Sequence, residues 1–295
     1  LFMKKIMILA SHPKSFLNFR GDLIRTLISK NIQVHVVSPN IELDTYNVNE
    51  LKKIGVNTHN IPLMRNRITP LKDFIFLLRL LGIMKKIRPH YFMAYTPKPV
   101  VFGMIAATLL KIPYKISIIT GLGYGFIGKK TGFKLVLSIL LKNMYKISLK
   151  KADKIFFQNE DDKSFFLKNK IINKHHSIAL INGSGVNLNH FNISPIPNKI
   201  SFLMITRLLG NKGVREYVEA ANTVYQEYPQ SRFVLLGWSE KNADSLTNDE
   251  IEKIQKSDSI DILDKTEDVR PALKNCSVYV LPSYREGTSR TILEA

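Results

Sequence analysis

The chain has 295 residues, 45% of them hydrophobic and 23% charged, which suits a folded protein with room for two domains and excludes a mainly disordered one. A single cysteine, Cys276, excludes an internal disulfide framework, and no uninterrupted apolar run reaches the roughly 18 residues of a membrane-spanning helix. The net charge of +19 is unevenly placed: residues 1–190 hold 30 Lys and Arg against 9 Asp and Glu, whereas residues 191–295 hold 13 against 15. Such asymmetry points to nucleic acid or an anionic membrane surface, with a lysine-rich solvated surface as the plainer reading.

The start, Leu1-Phe2-Met3-Lys4-Lys5, places lysines before an apolar stretch that stops at Ala10 without a small-residue cleavage site, so a signal peptide is not expected and Met3 reads as the natural start. Residues 5–10 form a compact apolar run of the kind buried in a parallel sheet, and residues 23–27 then show helical spacing. Strand signals recur at 33–38, 56–61, 90–95 and 114–119, with helices predicted over 69–86 and 100–110. Alternation of this kind predicts a parallel sheet with helices on both faces, whose ligands bind beyond the strand carboxyl ends. The loops there are 11–20, 95–98 and 120–126; the last carries Gly121 and Gly123 but is not Gly-x-Gly-x-x-Gly, so a dinucleotide fingerprint is not met.

Lys129 to Lys151 is the most basic segment, with seven lysines interleaved with leucine, isoleucine and valine. An amphipathic helix of this kind can lie on an anionic bilayer with its lysine stems snorkelling, or cover the sheet with a wet outer face, and the two readings can hold for different faces. Strand signals continue at 155–158 and 177–181, with a short helix from about Asp161. The stretch Ser194-Pro195-Ile196-Pro197-Asn198 reads as a linker, giving domains 1–193 and 194–295. Beyond it, strands are predicted at 201–206, 232–237, 260–263 and from Val278, with helices at 217–225 and 248–256.

Two stretches of the second domain carry chemistry. In Thr206-Arg207-Leu208-Leu209-Gly210-Asn211-Lys212-Gly213, Arg207 and Lys212 lie between a strand's carboxyl end and a helix start, where cations and backbone N–H groups favour a diphosphate. In Pro282-Ser283-Tyr284-Arg285-Glu286-Gly287-Thr288-Ser289-Arg290-Thr291-Ile292-Leu293-Glu294, two glutamates eight residues apart bracket a second anion-friendly loop. Glycosidase carboxylates stand about 5 to 9.5 Å apart, and eight helical residues rise about 12 Å. With cations nearby, transfer from a diphosphate is the better reading.

At these residues the chain resembles the glycosyltransferases of family 4, particularly the bacterial enzymes that build capsular and O-antigen polysaccharides on a lipid carrier. The matches run in order through Tyr95-Thr96-Pro97-Lys98-Pro99 with Gly103, Thr120-Gly121-Leu122-Gly123-Tyr124, Gly183-Ser184-Gly185-Val186, Arg207 with Lys212-Gly213, Asp268-Val269-Arg270, and Glu286-Gly287 to Glu294. The resemblance implies an α/β chain of the GT-B fold, with two Rossmann-like domains facing a cleft. It gives Arg207 and Lys212 the diphosphate of a nucleotide sugar, taken here as a UDP-sugar, Glu286 the donor sugar, Glu294 the ribose, and the Gly287-Thr288 backbone the phosphate. Lys98, Gly121, Gly123 and Arg20 are the acceptor-side candidates. No Asp-x-Asp is present, so metal-independent transfer is expected, and the resemblance implies retention of the anomeric configuration. The implied partners are a nucleotide sugar, a lipid-diphosphate-linked glycan and an anionic membrane, not nucleic acid. The implied place is the cytoplasmic face of the membrane.

Two departures stand out: Asn187 stands where the family often has Asp, and Phe16 to Gly21 lacks a frequent Gly-Gly pair. Family members continue past the second glutamate. The resemblance therefore implies C-terminal truncation with an incomplete second domain, and an isolated fragment that is poorly stable and inactive. A non-catalytic remnant and a basic nucleic-acid-binding protein are the alternative readings.

Overall fold

In the computed structural model, which describes residues 3–63, 69–122, 126, 132–239 and 244–295, the chain divides into two compact units, Leu1–Ser184 and Gly185–Ala295. The division falls before the proline-rich stretch. Ser194, Pro195 and Ile196 instead line a groove of the second unit together with Asn275, Cys276 and Ser277.

The first unit holds seven parallel strands: β1 Lys5–Leu9, β2 Gln33–Ser38, β3 Asn57–Asn60, β4 Tyr91–Tyr95, β5 Tyr114–Ile119, β6 Lys154–Phe157 and β7 Ile178–Leu180. Their order is β3-β2-β1-β4-β5-β6-β7. Helices α1 Lys14–Ser29 and α2 Thr45–Lys53 cover one face, and α3 Pro70–Ile87, α4 Pro97–Leu109, α5 Phe133–Leu149 and α6 Glu160–Lys168 the other. The period of two explains the layering. Met7 and Leu9 of β1 join the core under α3 to α6, while Ile6, Ile8 and Ala10 join Phe16, Ile24 and Leu51 under α1 and α2. Because both faces are covered, the central strands read as unbroken apolar runs, which made them legible.

The second unit repeats the scheme with four parallel strands: β8 Ser201–Arg207, β9 Arg232–Trp238, β10 Ile260–Leu263 and β11 Val278–Tyr279 in the order β10-β9-β8-β11. Its helices are α7 Val214–Glu227, α8 Asn248–Gln255, α9 Arg270–Lys274 and α10 Arg290–Glu294. Met204 and Leu235 face one core, and Leu203, Ile205, Val234 and Leu236 the other. In each sheet the strand order reverses at one place, between β1 and β4 and between β8 and β11. Open parallel sheets leave a crevice at such a reversal, beyond the strand carboxyl ends.

Some elements differ from the sequence reading. Helix α2 has no amphipathic signature strong enough to predict it, since only Asn47 and Leu51 are buried; the Asp44 side chain caps it by accepting from the Asn47 N–H. Helix α4 starts at Pro97, where a fixed φ and a missing N–H suit the first turn. Strand β11, predicted from Val278, is only two residues long. No helix among the described residues is long and apolar enough to cross a membrane.

Candidate active site

The reversal in the second sheet brings together two loops that are far apart in sequence. Arg207 is the last residue of β8, and the 3-10 turn Gly210–Lys212 follows it and leads into α7. The loop 280–289 leaves β11, the parallel neighbour of β8. The two loops are stitched at Asn211, whose carbonyl accepts from the Tyr284 N–H at 3.1 Å and the Ser283 hydroxyl at 3.3 Å. Gly213 makes the approach possible. Its φ is +77°, and a Cβ there would stand 2.2 Å from the Pro282 carbonyl oxygen.

Across this seam Lys212 Nζ donates to Glu286 Oε1 at 2.5 Å, with both side chains partly open to solvent. Two residues 74 positions apart, singled out for a diphosphate and a sugar, therefore hold each other. The first amides of α7 add N–H donors without intrahelical partners at the same seam. Asp244 supports the turn from a third segment: its carboxylate accepts from Asn211 N at 2.8 Å and its carbonyl from Gly210 N at 2.8 Å. Asn211 Oδ1 is buried and meets no hydrogen-bond donor among the described residues. Neither role was visible in the sequence, because Asp244 lies in a loop without a motif. The Tyr284 hydroxyl donates to Glu216, which holds that carboxyl below its ordinary range.

Glu294 ends α10 and accepts from Arg290 Nε at 2.6 Å, one helical turn away. Tyr279 sits between these groups; it donates to the Ile205 carbonyl, and burial pushes its phenol up to about 12. Glu294 and Tyr279 also line a groove of about 860 Å³ with His190, Asp268 and Arg270. There the Arg270 guanidinium forks onto Asp268 with two contacts of 2.8 Å, holding the carboxyl down at about 2. Gly287 and Thr288 lie in the loop between β11 and α10, half-buried. Among the described residues, no group of three or more His, Cys, Asp and Glu stands close enough together to hold a metal ion.

The first unit places its candidates differently. Arg20 lies within α1, 6% exposed, with its guanidinium 5.1 Å from the Tyr95 ring centre and donating to the Phe19 carbonyl. Lys98, in the first turn of α4, is bound at 2.5 Å to the buried Asp73 of α3, which also accepts from the Thr69 N–H. Gly121 follows β5 with φ +131° and, among the described residues, nothing within 4 Å of where a Cβ would stand, and Gly123 lies outside the described residues. At the β1/β4 reversal itself lies Thr96, which the sequence reading placed in a candidate loop without giving it a role. This β-branched residue has φ +70° and ψ 149°, and its hydroxyl is buried without a partner among the described residues.

Both units also match known protein families. Residues 5–159 match the family described as glycosyl transferase 4-like, and residues 187–295 the one described as glycosyl transferases group 1. The chain belongs to the 4-like glycosyltransferases. Its relatives include the N,N'-diacetylbacillosaminyl-diphospho-undecaprenol alpha-1,3-N-acetylgalactosaminyltransferase of Campylobacter jejuni, 29% identical over 99% of this chain and 77% of that protein. The UDP-Gal:alpha-D-GlcNAc-diphosphoundecaprenol alpha-1,3-galactosyltransferase of Escherichia coli is 25% identical over 82% of this chain and 64% of its own length. Among solved structures, sucrose-phosphate synthase from Thermosynechococcus elongatus superposes with a TM-score of 0.72 over 99% of this chain and 78% of that one, at 15% identity. The glycosyltransferase therefore has the GT-B fold, as its sequence motifs implied.

Proposed function

We propose that this glycosyltransferase moves a hexose or N-acetylhexosamine from a UDP-sugar to a glycan carried on a lipid diphosphate, in the synthesis of a bacterial capsule or O-antigen. The observation that carries the proposal is the Lys212–Glu286 pair at the β8/β11 reversal. The Glu286 carboxylate occupies the place beside Lys212 that a phosphate oxygen of the donor would take. Donor binding exchanges one anion for another: the diphosphate draws Lys212 and Arg207, and Glu286 is released to the hydroxyls of the sugar. As the sugar–phosphate bond breaks, negative charge grows on the departing nucleoside diphosphate. Lys212, Arg207 and the amides of Gly287 and Thr288 stabilise that charge most when it is largest, which lowers the barrier. Glu294 would accept from the ribose hydroxyls once it exchanges Arg290.

The Campylobacter and Escherichia relatives, both named for diphospho-undecaprenol-linked acceptors, support the lipid-diphosphate acceptor, and the Escherichia enzyme, named for UDP-Gal, supports the UDP donor. The family resemblance supports retention of the anomeric configuration, and the cations available to the leaving group support independence from a divalent metal. On the acceptor side, Lys98 and Gly121 border the carboxyl ends of β4 and β5, and Arg20 acts through Tyr95. The basic first unit would keep the enzyme on the cytoplasmic face of the membrane.

The test pairs transfer with UDP binding. Lys212→Ala should lower transfer by about a hundredfold or more and weaken UDP binding in the same protein. Glu286→Gln should lose transfer yet bind UDP as tightly as the parent or tighter, because a competing carboxylate is gone. Parental transfer rates in both variants would remove the assigned donor site.

A further inference from the structure

The outer face of α3 is not the polar surface expected of a sheet-covering helix. Leu71, Phe74, Ile75 and Leu78 recur at the i, i+3, i+4 and i+7 positions of one stripe and are 40–73% exposed. The inner stripe, Phe76, Leu80, Met84 and Ile87, is buried against the sheet, so α3 carries apolar side chains on both sides. Helix α5 does the same: Tyr145 and Leu149 are buried, while Leu135, Val136, Ile139, Leu140 and Ile147 are 44–67% exposed. Helix α4 packs between α3 and α5 on the same face of the sheet. The two apolar stripes thus lie on one flank of the first unit, where a monomeric soluble surface rarely leaves so much apolar area open.

Charge identifies what covers this flank. From Leu51 to Ala152 the sequence holds 19 Lys and Arg and a single acidic residue, Asp73. Asp73 is buried and bound to Lys98, so it offers nothing to the surface. Lys72 and Arg79 border the α3 stripe, Lys85 and Lys86 end that helix, and exposed Lys146 lies on α5 with Lys150 just past its end. An apolar stripe with Lys72 and Arg79 beside it complements the interface of an anionic bilayer, where side chains enter the acyl boundary and lysines meet the headgroups.

We infer that α3 and α5 together form a membrane-docking face, with the Leu71/Phe74/Ile75/Leu78 stripe of α3 as an inserting element beside α5. This deepens the membrane-side reading proposed above, and it is tested by binding alone. The purified protein should sediment with phosphatidylglycerol-containing vesicles and much less with phosphatidylcholine vesicles. Phe74→Ser/Leu78→Ser and Lys72→Glu/Arg79→Glu should each cut partitioning by about tenfold, with UDP affinity unchanged. A Phe74→Trp variant should gain an indole quenched by brominated acyl chains, over the signal of the single native Trp238. Unchanged partitioning in both double variants, or an unquenched Trp at position 74, would overturn the proposal. So would a Phe74→Ser/Leu78→Ser variant that only turns a dimer into a monomer, since the stripe would then bind a second copy. Loss of UDP binding with vesicle binding intact would count against the transferase reading and leave the docking face standing.

Discussion

At the reversal of strand order the two sheets follow one rule, but they hold their cations in different ways. In the first sheet Arg20 is packed over Tyr95 within the core, and Lys98 is locked to an aspartate that has almost no contact with water. In the second, Lys212 meets Glu286 and Arg290 meets Glu294 at loop and helix ends that stay partly open. A charge fixed by a buried partner on a helix is part of the scaffold, because removing the partner leaves it stranded. A charge shared between two loops can be exchanged for a ligand. Position at a strand end therefore does not by itself make a cation a binding residue; what it is bonded to decides.

Three measurements test that contrast. Asp73→Ala should have the largest effect on stability, about 3 kcal/mol in a denaturant or thermal melt, while UDP affinity stays at the parental value. Lys98→Met added to Asp73→Ala should recover part of the loss; a stable Asp73→Ala protein would show that Lys98 is not held as scaffold. Gly213→Ala comes next, because the new methyl must displace Pro282 and adopt a positive φ, at a cost of about 1–3 kcal/mol. It should lower both the melting temperature and UDP affinity, since it separates the loops that carry Lys212 and Glu286.

A last effect concerns pH and belongs to the first unit alone. His35 and His59 stack across β2 and β3 with a 3.0 Å contact between ring nitrogens. Burial, the neighbouring His59 and Lys5 lower His35 from 6.5 to about 4, and His59 is lowered as well. Above 6.5 neither state of His35 binds a proton, so this group adds no pH dependence there. As pH falls from 6.5 to about 4 the unfolded chain takes up a proton that the folded chain refuses, and stability declines through that window. Thermal melts of His35→Gln should show a shallower decline over the same range; an identical slope would remove the pair as its cause.

Much of the fold was legible because buried parallel strands are apolar on both faces and stand apart from what surrounds them. Strands β2 and β5 coincide with their predicted limits for that reason, and the edge strand β10 does so although only Ile260 is buried. Polar α2 was not legible, since its burial comes down to two side chains and a capping aspartate. The donor-site candidates were legible as two motifs, but not as a contact, because sequence carries no sign that residues 74 apart meet. The partners of Arg20 and Lys98 were hidden for the same reason: Tyr95 and Asp73 are supplied by other elements. Lysine spacing drew attention to α5, whereas the stripe on α3 was hidden in a leucine-rich helix whose two apolar sides cannot be told apart until one is seen to be buried.

The pairing of β11 with β8 has a consequence for how the enzyme is made. Phe202 finds its partner Val278 only after the whole of β9, α8 and β10 has been synthesised. Until then one edge of β8 carries open backbone N–H and C=O groups, and the turn that bears Lys212 has nothing to close against. Contacts this distant along the chain form late and slowly. A nascent chain would therefore complete its first unit, with the apolar flank of α3 and α5, well before it acquired a place to hold a donor, so the order of synthesis sets scaffold ahead of activity.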